Sequence, residues 1–253
     1  MLMGKVIISN WKMNPVSITA AVKLAASCKK SIGRAGHTEV VVCPPALYLS
    51  DLGEEFSGGK ISLGAQDAFW EKTGAYTGEI SAVQMDSLGV RYVIIGHSER
   101  RSMGESNLLI SRKLLAVLKE GMVAILCVGE NSRDEHGEFL STIKRQLEES
   151  LAGIPRRYFL NLVVAYEPLW AISTHASGTE SPEDMLQMSI FIRKTLGGIC
   201  GKDLAVGVPI IYGGSVDEEN VGGYISLGGA DGVLVGKASL SAETFGKIVN
   251  SVN

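Results

Sequence analysis

The chain has 253 residues, of which 45% are hydrophobic and 20% are charged, and its formal net charge is −3. This length suits one large domain, since α/β barrels commonly occupy about 200 to 250 residues as a single unit. The slightly acidic balance, with no basic block, argues against nucleic acid as a partner. A few backbone amides can still hold a small anion such as phosphate.

The cysteines and the apolar runs bear on redox state and location. Cys28, Cys43, Cys127 and Cys200 are scattered, with no CxxC pair and no histidine at metal-ligand spacing. This pattern predicts reduced, mostly buried thiols and no metal site. The N-terminal segment Met1–Ile8 has too short an apolar run for a signal peptide, and no stretch approaches the roughly 20 apolar residues of a membrane span. We therefore expect a cytoplasmic protein with no membrane partner.

Short runs rich in Val and Ile recur about every 30 residues along the chain. Such runs, bounded by turn residues, are typical of buried strands. The predicted strands are Val6–Ser9, Glu39–Cys43, Ile61–Ala65, Tyr92–Ile95, Val123–Val128, Leu160–Ala165, Ile210–Tyr212 and Gly232–Val235.

The segments between these runs have helical spacing. Ser106–Glu120, for example, carries leucines along one face, and Gly121 follows where this helix should end. Helix-start signals come before three other segments, at Ser17, at Ser181–Asp184 and at Asp217–Glu219.

Eight alternating strands and helices require a largely parallel sheet that is covered on both faces. In a chain of this length they favour an α/β fold, a single-domain (β/α)₈ barrel over residues 1–253. An open, doubly wound sheet is the structural alternative. In a barrel, functional side chains lie at the carboxyl ends of the strands, so those positions are the ones to inspect.

The sixth strand ends on a lone carboxylate, Glu167, and Pro168 then takes the chain out of the sheet. Trp170 and the small, polar segment Ser173–Thr179 follow, which suggests a flap over the strand end. A carboxylate at the tip of a buried strand is suited to act as a general base. The alternative is a structural carboxylate that caps a neighbouring helix.

Two glycine turns follow the last two strands. Gly213-Gly214-Ser215 comes after the seventh strand and Gly236-Lys237 after the eighth. Glycines let the backbone approach a ligand closely, and the loops after strands 7 and 8 of a barrel commonly hold phosphate. Ser173 could add an amide to the same site. The alternative is that these glycines only permit tight turns.

Three further polar residues lie at strand ends. His97 follows the fourth strand just before a helical segment, where a neutral imidazole could polarise a carbonyl. Lys12 and Asn10 follow the first strand and could meet the ligand's negative charge and oxygen. With Glu167 as base, these groups predict proton abstraction next to a carbonyl, and hence an aldose–ketose isomerisation that needs no metal and no organic cofactor.

Seven motifs in order resemble the triosephosphate isomerase family over essentially the whole chain. They are Asn10-Trp11-Lys12, Thr77-Gly78-Glu79-Ile80-Ser81, Gly96-His97-Ser98-Glu99-Arg100-Arg101, Cys127-Val128-Gly129-Glu130, Ala165-Tyr166-Glu167-Pro168, Tyr212-Gly213-Gly214-Ser215-Val216 and Gly236. Each motif alone is weak evidence of resemblance, whereas the seven motifs in this order are specific to the family.

The resemblance implies interconversion of dihydroxyacetone phosphate and D-glyceraldehyde 3-phosphate, in glycolysis and gluconeogenesis. It implies His97 as the electrophile and Glu167 as the proton acceptor, the pattern established for this family. The substrate-binding residues that it implies are Asn10, Lys12 and, through their backbone amides, Ser173, Ser215, Gly236 and Lys237. It also implies a homodimer that assembles through the loop around Thr77.

The chain departs from the family pattern in two places. The flap Ser173–Thr179 lacks the family's lysine and first glycines, and Pro182 lies two residues later than expected. Lys237 stands where the family usually has glycine, and we expect its side chain to point away from the barrel. Two other interpretations therefore stay open, an aldolase-like enzyme acting on sugar phosphates and a catalytically dead barrel.

Overall fold

The computed structural model describes residues 4–32, 36–134, 136–172 and 180–252. They form a closed barrel of eight parallel strands, in which each strand pairs with its neighbours in sequence and β1 pairs with β8. The strands are β1 Val6–Asn10, β2 Glu39–Cys43, β3 Ile61–Ala65, β4 Tyr92–Ile95, β5 Val123–Val128, β6 Leu162–Tyr166, β7 Ile210–Tyr212 and β8 Gly232–Val235. The predicted α/β barrel is confirmed, and the open sheet is wrong.

Helices cover the outside of the barrel. They are α1 Ile18–Ser31, α2 Leu49–Phe56, α3 Ala82–Ser87, α4 Ser98–Ser102, α5 Asn107–Lys119, α6 Glu138–Ser150, α7 Leu169–Ile172, α8 Pro182–Cys200, α9 Lys202–Gly207, α10 Val221–Ser226 and α11 Ala242–Asn250. Short 3₁₀ turns occur at Ala46–Tyr48, Arg156–Asn161 and Lys237–Leu240. None of the helices in these described ranges is long and apolar enough to cross a membrane.

Alternation along each strand divides the core in two. One set of side chains, such as Ile8, Ile94 and Ala165, fills the inside of the barrel. The other set, such as Ile7 and Tyr166, packs outward against the helices. Because both faces of every strand are covered, the strands read as nearly continuous apolar runs, which is why their positions can be predicted.

The predicted helix signals mostly hold. The side chains of Ser17, Ser106 and Ser181 each accept a hydrogen bond from a backbone amide in the first turn of α1, α5 and α8, which stabilises these helix starts. Ser181 also forms a reciprocal capping box with Asp184. Gly121 has a φ of +81°, the left-handed conformation that ends a helix.

Two predicted boundaries are wrong. The sixth strand begins at Leu162, because Leu160 lies in the 3₁₀ turn Arg156–Asn161 and is half exposed. Asp217 does not begin a helix. Its carboxylate accepts hydrogen bonds from the amides of Glu219 and Asn220, which closes a turn, and α10 begins only at Val221.

Candidate active site

A cavity of about 510 Å³ opens at the carboxyl ends of the strands. Its lining combines polar side chains at or just after the ends of β1, β4 and β6 with the turns that follow β7 and β8. The lining residues are Asn10, Lys12, His97, Ser98, Glu167, Gly213, Gly214, Ser215, Val216, Asp217, Leu234, Gly236, Lys237 and Ala238. Of the predicted site residues, all but Ser173 therefore line one cavity. Ser173, with the predicted flap Ser173–Thr179, lies outside the described residues.

Glu167 is held between two glycines that directly follow the neighbouring strands β5 and β7. Its backbone amide donates to Val128 O at 2.8 Å, which fixes it beside the end of β5. A Cβ at Gly129 would lie 1.9 Å from the Glu167 carbonyl oxygen, and one at Gly213 would lie 3.0 Å from the Glu167 Cγ. Glycine is therefore required beside the Glu167 backbone at position 129 and favoured beside its side chain at position 213.

The Glu167 carboxylate is 2% exposed and makes few contacts. Oε2 accepts a hydrogen bond from the Ser98 backbone amide at 3.0 Å. Oε1 lies 3.2 Å from His97 Nε2, in an orientation too poor for a hydrogen bond, so this oxygen has no hydrogen-bond partner among the described residues. A buried carboxylate with one uncommitted oxygen at a cavity can accept a proton from a bound molecule.

His97 is the N-cap residue of α4 and is 8% exposed. Its Nδ1 accepts a hydrogen bond from the Glu99 amide at 3.2 Å. An Nδ1 that accepts carries no proton, so the neutral ring has its proton on Nε2, the atom that faces Glu167. The imidazole is thus arranged to donate a hydrogen bond into the cavity.

Lys12 has a φ of +53°, which costs a non-glycine residue about 1 to 2 kcal/mol. Local hydrogen bonds hold this conformation, because Asn10 Oδ1 accepts from the Lys12 amide at 3.0 Å and Gln66 Nε2 donates to the Lys12 carbonyl at 2.9 Å. The Lys12 ammonium lies 2.8 Å from Glu99 Oε1 and close to Gly236. Strain retained at a cavity is typical of functional positions.

The two glycine turns have fixed shapes. The Ser239 amide and hydroxyl both donate to the Gly236 carbonyl, at 2.9 and 2.7 Å. The Asn220 side chain donates to the Ser215 carbonyl at 3.1 Å. Lys237 begins the following 3₁₀ turn, is exposed and lines the cavity, so the expected direction of its side chain stays a prediction. Rigid turns at the mouth of a cavity are suited to present amides to an anion.

Arg101 and Cys127 support the site from behind, a role that the sequence did not reveal. The Arg101 guanidinium donates to the carbonyls of Gly96 and Cys127, at 2.7 and 3.0 Å, and so ties the ends of β4 and β5 together. Burial and the adjacent Glu167 carboxylate raise the pKa of the Cys127 thiol well above its ordinary value. The thiol therefore stays neutral beside the carboxylate, as expected for the four buried, free cysteines.

Other contacts of the site also escaped prediction. The Ser98 amide and the Gln66 side chain reach residues 69 and 54 positions away in the chain. Such long-range pairs leave no local pattern in a sequence. Among the described residues, no group of three or more His, Cys, Asp or Glu side chains is placed to hold a metal ion.

Comparisons with known proteins agree with this geometry. The family model for triosephosphate isomerase matches residues 5–252. The triosephosphate isomerase of Moorella thermoacetica is 44% identical over 247 residues, covering 97% of each chain. That of Thermoanaerobacter pseudethanolicus is 42% identical, covering 97% of this chain and 98% of its own. The crystal structure of the Bartonella henselae triosephosphate isomerase superposes with a TM-score of 0.85 at 32% identity, covering 98% of this chain and 99% of its own. The chain belongs to the triosephosphate isomerase family.

Proposed function

We propose that this chain interconverts dihydroxyacetone phosphate and D-glyceraldehyde 3-phosphate by proton transfer through an enediolate, as a cytoplasmic enzyme of glycolysis and gluconeogenesis. The proposal rests on one observation. Glu167, His97 and Lys12 line the same cavity, and the two glycine turns after β7 and β8 line it as well. Membership of the family supports the substrate class.

The proposed reaction begins with the uncommitted oxygen of Glu167. It takes a proton from the carbon next to the carbonyl, and the electron pair of that C–H bond forms the enediolate. The Nε2–H of His97 and the Lys12 ammonium stabilise the negative oxygen. Glu167 then returns a proton to the neighbouring carbon, while the hydroxyl proton moves from one oxygen to the other by way of His97 Nε2. The reaction therefore balances with no co-reactant.

The remaining predicted residues have binding roles in this proposal. The Asn10 side chain orients Lys12 through its hydrogen bond to the Lys12 amide. The backbone amides of Ser215, Gly236 and Lys237 hold the phosphate, with Ser173 as a further donor. An amide cradle explains how a chain with a net charge of −3 can bind a dianion.

A coupled assay tests this proposal. Purified wild type should convert D-glyceraldehyde 3-phosphate, and Glu167→Asp, which withdraws the carboxylate by about 1 Å, should lose roughly 100-fold or more in kcat. Folded wild type without activity would contradict the proposal and favour the catalytically dead barrel. Covalent trapping of substrate by borohydride would favour the aldolase-like alternative, because that chemistry needs a lysine Schiff base.

We also infer that the chain acts as a homodimer through the loop around Thr77. Several large apolar side chains near the first four strand ends are exposed: Met13 91%, Leu47 81%, Met103 81% and Tyr76 44%. Exposed apolar side chains in loops that follow neighbouring strands are typical of a protein interface. Sedimentation should give a dimer, and Thr77→Arg should shift it to a monomer with reduced activity. A wild-type monomer with full activity would exclude this assembly.

A further inference from the structure

A second cluster of buried polar side chains lies behind the active site, on the outer face of the barrel wall. It comprises Glu130 and Arg133 after β5, Tyr166 of β6, Glu180 before α8 and Tyr212 of β7. We refer to these five residues as the outer cluster. None of them lines the cavity, and none takes part in the proposed proton transfer.

Arg133 is the cation around which the outer cluster is arranged. Its guanidinium lies 3.4 Å from Glu130 Oε1, 3.2 Å from Glu180 Oε1 and 2.6 Å from Asp184 Oδ1. One positive charge therefore faces three carboxylates. Asp184 is partly exposed and takes hydrogen bonds from Ser181, so water and the helix start share its charge.

Glu180 is the least satisfied of these carboxyl groups. Its side chain is fully buried, and Oε2 has no hydrogen-bond partner among the described residues. Burial raises the pKa of Glu180 to about 8, although Arg133 and the hydroxyls of Tyr212 and Tyr166 pull it the other way. Glu180 therefore keeps a proton at neutral pH and ionises just above it.

Tyr212 connects Glu180 to the anion-binding turn. Its hydroxyl interacts with the Glu180 carboxyl, which lowers the pKa of Glu180 against the effect of burial. Its ring stacks on Tyr224 at 3.9 Å between centroids. The Tyr224 hydroxyl in turn donates to the Glu180 carbonyl at 2.8 Å. A Cβ at Gly214 would lie only 2.0 Å from the Tyr212 hydroxyl oxygen, so the phenol packs directly on the backbone of the glycine turn.

We propose that Glu180 is a proton-linked positioning residue, which in its neutral form lets Tyr212 hold the Gly213-Gly214 turn in the shape that binds the substrate phosphate. This rests on the proposed function. When Glu180 ionises, its carboxylate draws the Tyr212 hydroxyl toward itself and adds a buried negative charge on the side of the wall opposite the phosphate. Both effects weaken anion binding without touching Glu167 or His97.

The direction of the pH effect follows from the groups that face Glu180. Arg133 stays charged at any relevant pH. Burial raises the pKa values of Tyr166, Tyr212 and Tyr224, so the phenols remain neutral. For Asp184, burial is outweighed by hydrogen bonds from Ser181 and by Arg133, which lower its pKa. The Glu130 carboxylate takes hydrogen bonds from Tyr166 and Trp170. Glu180 is the remaining carboxyl group of the outer cluster. Its ionisation should lower substrate affinity as the pH rises through about 8.

The test measures KM and kcat for D-glyceraldehyde 3-phosphate between pH 7 and 9 in wild type, Glu180→Gln and Glu183→Gln. Wild-type KM should rise roughly three- to tenfold over this range, the order of effect of one added negative charge near a bound anion, while kcat changes little. Glu180→Gln should keep the low KM throughout. Glu183→Gln removes an exposed carboxylate three residues away and should behave as wild type. The same rise in Glu180→Gln as in wild type would overturn the proposal.

Sulfate, whose charge is constant in this range, provides a readout that does not depend on turnover. Its binding to wild type at pH 8 should take up a fraction of a proton, measured by calorimetry in two buffers of different ionisation enthalpy. Glu180→Gln should show no proton uptake on binding sulfate, and Glu183→Gln should show the same uptake as wild type. Absence of uptake in wild type would overturn the role of Glu180 even if Glu180→Gln failed to fold. Loss of isomerase activity with normal uptake would refute only the proposed function.

Discussion

Tyr166 and Glu167 are neighbours in the chain, yet their side chains lie on opposite sides of the barrel wall. Tyr166 packs outward among the helices, whereas Glu167 lines the cavity. Each side also has a buried carboxylate, Glu130 outside and Glu167 inside, and both are 2% exposed. One wall of the barrel therefore offers two carboxylates that burial alone does not distinguish.

The two carboxylates differ in what surrounds them. Glu130 Oε1 accepts from the Tyr166 hydroxyl at 2.7 Å, the Trp170 indole at 2.9 Å and Arg133 at 3.4 Å. Glu167 accepts one hydrogen bond, from the Ser98 amide, and lines the cavity. The comparison suggests that Glu130 is committed to holding the fold together, while Glu167 is left available for proton transfer.

The same substitution on each side of the wall should separate these roles. Glu167→Gln keeps the shape and the Ser98 hydrogen bond but cannot accept a proton, so kcat should fall about 1,000-fold or more with little change in unfolding free energy. Glu130→Gln weakens charge-assisted hydrogen bonds and should cost about 2 kcal/mol of stability. Its kcat should fall less than tenfold. Urea unfolding and the coupled assay measure both, and an inactive but stable Glu130→Gln would reverse the assignment.

Lys12 supplies the cation on the cavity side. Lys12→Met removes the charge but keeps the length of the side chain, and kcat/KM should fall roughly 100- to 1,000-fold, as for the loss of one donor to a developing oxyanion. Lys5→Met is the matched control, since the Lys5 ammonium donates to the Ala230 carbonyl and does not line the cavity. An effect of similar size from both variants would indicate a general loss of charge rather than a local contact.

Gly214 is where the outer cluster, through Tyr212, contacts the glycine turn of the active site. Gly214→Ala would place a Cβ 2.0 Å from the Tyr212 hydroxyl oxygen and must displace either the phenol or the turn. We expect KM to rise about tenfold with a smaller change in kcat, because the loss falls on phosphate binding. Gly222→Ala, where nothing lies within 4 Å of the added Cβ, is the control. Unchanged KM in Gly214→Ala would show that the turn is free to adapt.

The smallest effect is expected at Lys237. Its side chain is exposed at the cavity rim, so Lys237→Gly should change KM less than twofold, the amide being retained. A rise in KM of more than fivefold in Lys237→Gly, with little change in Lys237→Arg, would instead show that the positive charge of this side chain binds the phosphate.

The sequence predicts the barrel because strands covered on both faces read as apolar runs between turns. It fails at Leu160, where an apolar residue in a 3₁₀ turn looks continuous with β6, and at Asp217, which closes a turn rather than beginning a helix. The predicted strand-end residues such as Lys12, His97 and Glu167 do meet at one cavity. The outer cluster could not be predicted, since pairs such as Glu130 and Tyr166 are 36 residues apart.

The most direct test of the central claim, that Glu167 transfers a proton through an enediolate, is turnover of D-glyceraldehyde 3-phosphate in D₂O followed by NMR. A base that shares its proton with solvent should yield dihydroxyacetone phosphate with deuterium at carbon 1 in part of the product, and Glu167→Gln should lose both turnover and labelling. Rapid formation of product by Glu167→Gln, with no deuterium at carbon 1 in either variant, would point to a hydride shift and would contradict proton transfer by Glu167.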